Sequence, residues 1–140
     1  MNTRADIAHL GATGYELDST LLTDEEKESI KEHIQNYKEM AHLVLSADLY
    51  RTENPFEDGY FGFNLVAKDK SEAVFTCYRR FNREDKVKFV YPRGLDPDKR
   101  YYIPEREVTL SGATIMNAGL QPYFSHRDFS SRVFRFKEVK

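Results

Sequence analysis

At 140 residues, 40% of them apolar and 31% charged, the chain suffices for one soluble domain with a buried core. It is too short for a complete (β/α)8 barrel, which takes roughly 250 residues, or for a whole doubly wound dinucleotide enzyme. Its 21 basic and 23 acidic side chains give a formal charge of −2, so the basic excess that grips a phosphate backbone is missing and nucleic acid is not an expected partner.

The first region, residues 1–22, carries Gly11, Gly14 and the run Tyr15-Glu16-Leu17-Asp18, and reads as a turn feeding one short strand. Thr23-Asp24-Glu25-Glu26 then has the form of a capping box. The threonine hydroxyl accepts from the amide three residues on, while Glu26 reaches back to the Thr23 amide. Acidic residues crowd the first turns, where the helix dipole favours them, and Ile30, Ile34, Tyr37, Ala41 and Val44 follow at helical spacing. The pattern predicts a helix from Thr23 to about Ser46 with an apolar stripe facing a core.

From Asp48 onward aromatic and β-branched residues dominate, and turn residues punctuate the chain at Asn54-Pro55, Asp58-Gly59, Asp69-Lys70, Asp96-Pro97 and Ser111-Gly112. Asp48 to Thr52 is a predicted strand. Phe61, Phe63 and Leu65 alternate with Gly62 and Asn64, and the run from Ala73 to Phe81 lies close enough behind to pair with them antiparallel. Val87 to Tyr91, Arg100 to Ile103, Glu107 to Leu110 and Arg132 to Val139 complete the set, the last placing Phe134 and Phe136 on one face. Seven short strands at this spacing predict an antiparallel β-sandwich, with Ala113 to Ser130 a long connection. The expected fold class is therefore mainly β with one long N-terminal α-helix. A lone strand before that helix would expose both of its edges, so the chain reads as if something precedes Met1.

The single cysteine cannot make an internal disulfide, there is no Asn-x-Ser/Thr acceptor, and Met1 to Leu10 lacks an apolar signal core. No run approaches the ~18 apolar residues of a membrane span. A cytoplasmic, untargeted protein is expected. His9, His33, His42 and His126 share no metal-ligand spacing, and no metal is expected. Cys77 lies in a predicted strand with Phe75 on the same face, where a thiol acts as a small buried hydrophobe. Gly94, Gly112 and Gly119 are isolated turn glycines without a following Lys-Ser/Thr, so no nucleotide or other cofactor is implied.

Several runs, taken in order, carry a resemblance: Thr3-Arg4, Gly11-Ala12-Thr13-Gly14-Tyr15-Glu16-Leu17-Asp18, Leu22 with Glu26, and Tyr37-Lys38. It continues through Asp48-Leu49-Tyr50-Arg51, Gly94-Leu95-Asp96-Pro97, Leu110-Ser111-Gly112, Met116-Asn117-Ala118-Gly119-Leu120 and Asp128-Phe129-Ser130-Ser131-Arg132. Together these resemble the C-terminal end of the retaining α-galactosidases of glycoside hydrolase family 36, with Ala47 and Thr13 as departures from the family pattern. The resemblance implies two parts: residues 1–47 as the last strand and helix of a (β/α)8 catalytic barrel, and residues 48–140 as a C-terminal antiparallel β-sandwich. It implies a parent that hydrolyses terminal α-galactosidic bonds of the melibiose and raffinose type with retention, without cofactor or metal. The two catalytic aspartates of the family match no position here, so no catalytic residue is assigned and the chain alone is expected to be inactive. Its partner would be the rest of the barrel, whose last seam the helix stripe at Ile30, Ile34 and Tyr37 would seal; in the free chain the helix would either repack on the sandwich or associate through that stripe with a further copy of itself.

Two local patterns invite other readings. Glu16 and Asp18 would share one face of a strand at roughly 6.7 Å between α-carbons, near glycosidase carboxylate separations. One strand end cannot wall a sugar cleft, so structural hydrogen bonding is the expected role. Nine tyrosines and ten phenylalanines also raise a sugar-binding surface without turnover, with Tyr60, Tyr91, Tyr101, Tyr102 and Tyr123 as its candidates.

Overall fold

The computed structural model describes residues 2–54, 56, 59–81, 89–125 and 127–140. Helix α1 (Asn2–Ala8) opens the chain, and a 3-10 turn at Ser19–Leu21 leads to helix α2 (Asp24–Ser46). The capping box forms as expected: Thr23 Oγ1 accepts from the Glu26 amide at 3.2 Å, and Glu26 Oε2 accepts from the Thr23 amide at 3.0 Å. At the other end Ala47 is extended (φ −74°, ψ 162°), and strand β1 (Asp48–Thr52) starts at once.

Strands β2 (Tyr60–Val66), β3 (Glu72–Arg79), β4 (Arg100–Ile103), β5 (Val108–Ser111) and β6 (Ser130–Val139) follow, with a 3-10 turn at Pro104–Arg106 and helix α3 (Gly112–Asn117). All pairings are antiparallel, and the sheet order is β1-β2-β3-β6-β4-β5. Strands β3 and β6 therefore stand at the middle of the sheet, where β3 is buried along nearly its whole length.

Both faces of that sheet are covered. One carries Phe75, Cys77, Phe134 and Phe136, packed with Val90, Leu95, Ile115 and Leu120. The other carries Leu65 and Val74, packed with Met40 and Leu43 of α2. The two-layer packing expected of a sandwich is thus present; among the described residues, the layer opposite the sheet is built from residues 89–97, α3 and residues 120–124. Val90 and Leu120 exchange amide bonds of 2.8 Å there, an isolated bridge within the described part of the predicted strand at Val87 to Tyr91; Val87 and Lys88 lie outside the described residues.

Four further differences from the sequence expectation have physical causes. Residues 15–18 form no strand: Asp18 is extended (φ −79°, ψ 106°), but no strand lies beside it among the described residues, and a ladder needs a partner. Residues 2–8 and 112–117 are helical, although each piece is too short to show a period. The most deeply buried residues of α2 are His33, Met40 and Leu43; of the predicted stripe, Val44 packs beside Met40 and Leu43 and Tyr37 against His9, but Ile34 is 40% exposed because the helix lies on the sheet through its C-terminal half. In β2 the alternation is inverted in weight, since Gly62 and Asn64 lie on the more deeply buried face, Asn64 Nδ2 donating 2.6 Å to the Arg93 carbonyl.

Candidate functional site

Glu16 and Asp18 do not line a common pocket among those described. Both are exposed, and a pocket of about 270 Å³ that Glu16 lines together with Arg4, Tyr15 and His33 does not include Asp18. Asp18 is occupied as the cap of the 3-10 turn, its Oδ1 accepting from Thr20 N at 2.9 Å and Thr20 Oγ1 at 2.6 Å. Those bonds, the side-chain one foremost, hold its carboxyl below the usual carboxylate range, opposite to what a general acid needs. The expected structural role of Asp18 is what the geometry shows.

Of the histidines, His9 and His33 come together, a pairing that their separation of 24 positions in the sequence conceals. Their ring centroids are 6.5 Å apart, the His9 ring is 5.5 Å from Tyr37, and Tyr15 Oη lies 3.0 Å from His33 Nδ1. The cluster fastens α1 and the 11–18 segment to α2. His42 points elsewhere, its Nε2 2.6 Å from Glu72 Oε1, and His126 lies outside the described residues. Among the described residues no three His, Cys, Asp or Glu side chains are grouped closely enough to hold a metal ion.

Burial lowers the pKa of His9, with the neighbouring His33 adding to this and Asp6 opposing it. Folded His9 then holds its proton less tightly than the unfolded chain, whose histidine has the ordinary value of 6.5. Stability from this site is complete above that value and declines as the pH falls from there toward the folded pKa. Urea titrations between pH 8 and pH 5 should show the decline, and His9→Gln should flatten it; an equal slope in the variant would assign the effect elsewhere.

Cys77 is fully buried, its Sγ 3.6 Å from the Arg132 carbonyl, and burial pushes its thiol pKa far up, so it is packing and not a nucleophile. The sugar-binding set loses Tyr101, which is completely buried, donating 2.9 Å to the Lys70 carbonyl and accepting from Asp96 N at 3.1 Å. Tyr60 packs against Phe124 at 5.8 Å, Arg106 stacks 4.5 Å from the Tyr123 ring centroid, and Tyr91 and Tyr102 are partly exposed. None of the five lines any of the three cavities described.

The largest of those cavities, about 880 Å³, was not legible in the sequence. It lies where the end of β3 meets the start of β6, Arg79 pairing with Ser130, and where α1 crosses β6. Ser131 Oγ donates to Asp6 Oδ2 at 2.5 Å and Tyr78 Oη to the Asp6 carbonyl at 2.9 Å, which fix α1 there. Arginines from three separate segments line it. A doublet such as Arg79-Arg80 signals charge locally, but only strand register brings it to Arg127 and Arg132.

Comparison with known proteins covers the whole chain. Residues 62–136 match the Glycosyl hydrolase family 36 C-terminal domain, and residues 1–47 match Melibiase. Alpha-galactosidase AgaA of Geobacillus stearothermophilus is 33% identical over all of this chain, and the bifunctional alpha-galactosidase/sucrose kinase AgaSK of Mediterraneibacter gnavus is 33% identical over 99% of it. The chain spans only 19% and 15% of the length of these two relatives. Among solved structures, the galactosidase domain of AgaSK superposes with a TM-score of 0.92 at 32% identity over 99% of this chain and 19% of its own. Crystal structures of variants of the Geobacillus enzyme in complex with raffinose and with stachyose show TM-scores of 0.92 and 0.93, each at 32% identity.

Proposed function

From the premise that this chain belongs to glycosyl hydrolase family 36, we propose that it is the C-terminal part of an α-galactosidase and contributes structure rather than catalysis. Residues 1–47 would close a catalytic barrel, with α1 and α2 as outer helices and residues 14–18 as the last barrel strand. Residues 48–140 would form the attached β-domain. The parent would release terminal α-galactose from melibiose- and raffinose-type oligosaccharides with retention, by two carboxylates about 5 Å apart across the sugar, and would work in the cytoplasm.

The observation that carries this reading is the superposition of 99% of the chain on an α-galactosidase at a TM-score of 0.92, helices and sheet together. The arrangement of α1, α2 and the sheet thus matches that of the corresponding elements in that α-galactosidase, which supports the reading. Uncovered apolar side chains around α2 support it: Leu17 is 44% exposed, Leu21 81% and Leu45 87%, a scatter that a barrel would cover. The exposed, unpaired segment at residues 14–18 is also what a barrel strand looks like without its neighbours.

The test has two arms. The purified chain should show no turnover of 4-nitrophenyl α-galactoside, and saturable hydrolysis that Glu16→Gln or Asp18→Asn abolishes would overturn the proposal. Substituted for the matching fifth of the Geobacillus enzyme, the chain should restore galactose release to a truncated enzyme that lacks it; an inactive but folded chimera would count against the assignment.

A further inference from the structure

We infer that the cleft between the end of β3, the start of β6 and α1 is a binding site for a compact dianion bearing phosphate or carboxylate oxygens. Its described lining holds Arg4, Arg79, Arg80, Arg127 and Arg132 against one acidic residue, Asp128. Among the described lining residues basic side chains outnumber acidic ones by four, on a chain of formal charge −2, so this lining favours an anion. Guanidinium forks suit this chemistry, since each can meet two oxygens of a phosphate or carboxylate at once.

Arg79 supplies the independent observation. It is 8% exposed, its Nη2 donates to the carbonyls of Ser125 at 2.5 Å and Arg127 at 3.0 Å, and its buried Nε has no hydrogen-bond partner. Its bonded partners are thus neutral carbonyls. Neutral carbonyls and the Phe124 ring, 5.2 Å from its guanidinium carbon, hold this group out of water without an opposite charge, which a bound anion would supply. Arg132 is likewise turned to carbonyls, its Nε donating 2.6 Å to Tyr123 O and its Nη1 3.1 Å to Ser131 O. The site is prearranged, because Arg79 ties down the carbonyls of Ser125 and Arg127 and Ser131 ties down α1 on the other side of it. Phe61 and Phe129 add apolar wall, and the volume of about 880 Å³ falls within the usual range for small-molecule sites.

This inference stands apart from the proposed parent enzyme and is tested on the chain itself. Inorganic phosphate and malonate are titrated separately at pH 7.5 and constant ionic strength, with sodium chloride as the reference, and read by calorimetry and by melting temperature. A dissociation constant on the order of a millimolar or tighter is expected for at least one dianion. Binding of phosphate alone assigns a phosphorylated ligand, and binding of malonate alone a dicarboxylate. Arg4→Gln and Arg127→Gln, both at exposed positions, should each weaken binding about tenfold while leaving the melting temperature in chloride unchanged. Equal melting in all three salts, or binding that neither substitution weakens, would overturn the assignment.

Discussion

Replacing Gly112 by alanine is expected to destabilise the fold by more than about 3 kcal/mol and to lower its melting temperature by roughly 10 °C. A Cβ at this position would stand 1.9 Å from the Asp96 carbonyl oxygen and 2.8 Å from its carbon, both backbone atoms. The backbone has little room to retreat. Gly112 N donates 2.9 Å to the Lys99 carbonyl and Ala113 N 3.1 Å to that of Pro97, so the start of α3 is tied to the very turn it would strike. Asp96 is held in turn by its amide bond of 3.1 Å to Tyr101 Oη, which is itself anchored to Lys70. Ser111→Ala is the control: it removes the helix cap, the 3.1 Å bond from Thr114 N, together with the exposed 2.8 Å contact to Thr114 Oγ1, and should cost about 1 kcal/mol. If both variants melted within a few degrees of each other, the close-approach argument would fail.

Gly112 also shows where the sequence stopped being readable. In isolation Ser111-Gly112 and Gly94-Leu95-Asp96-Pro97 are ordinary turn chemistry, and each was legible as that. That the two must touch, and that Gly112 is required for lack of space rather than for an unusual φ, depends on contacts across the fold. Features whose partners are a few residues away were legible: the capping box at Thr23, strand β1 at Asp48–Thr52, and the antiparallel β2–β3 pair. Helix α1 was not, because what holds it is remote. Tyr78 and Ser131 bond to Asp6 from 72 and 125 positions away, and seven isolated residues would not be helical on their own. The same limit hid the His9–His33 contact and the arginine-lined cleft. Both join segments that only the sheet register and the helix docking bring together. Family membership, by contrast, was readable from ordered short motifs that need no contact to be seen.

Phe75→Ala is expected to cost about 3–5 kcal/mol, and the reason extends to its small neighbour Gly62. Phe75 is completely buried at the centre of the sheet, opposite Asn64 on one side and Phe134 on the other, so its removal leaves a cavity that the ladders on both sides prevent from collapsing. A Cβ on Gly62 would lie 2.6 Å from two atoms of the Phe75 ring and 2.7 Å from Thr52 Oγ1. Gly62→Ala therefore overpacks the same space that Phe75→Ala empties, at about 1–3 kcal/mol. A smaller ring substitute should relieve it. In Gly62→Ala combined with Phe75→Leu the shorter side chain retreats from the new methyl, and the double variant should be more stable than the sum of the single costs implies by about 1 kcal/mol. Thr52 keeps its contact in the double variant, so the relief is partial. Urea unfolding of the four proteins measures the coupling. Additivity within about 0.5 kcal/mol would mean that Gly62 is not small for the sake of the Phe75 ring.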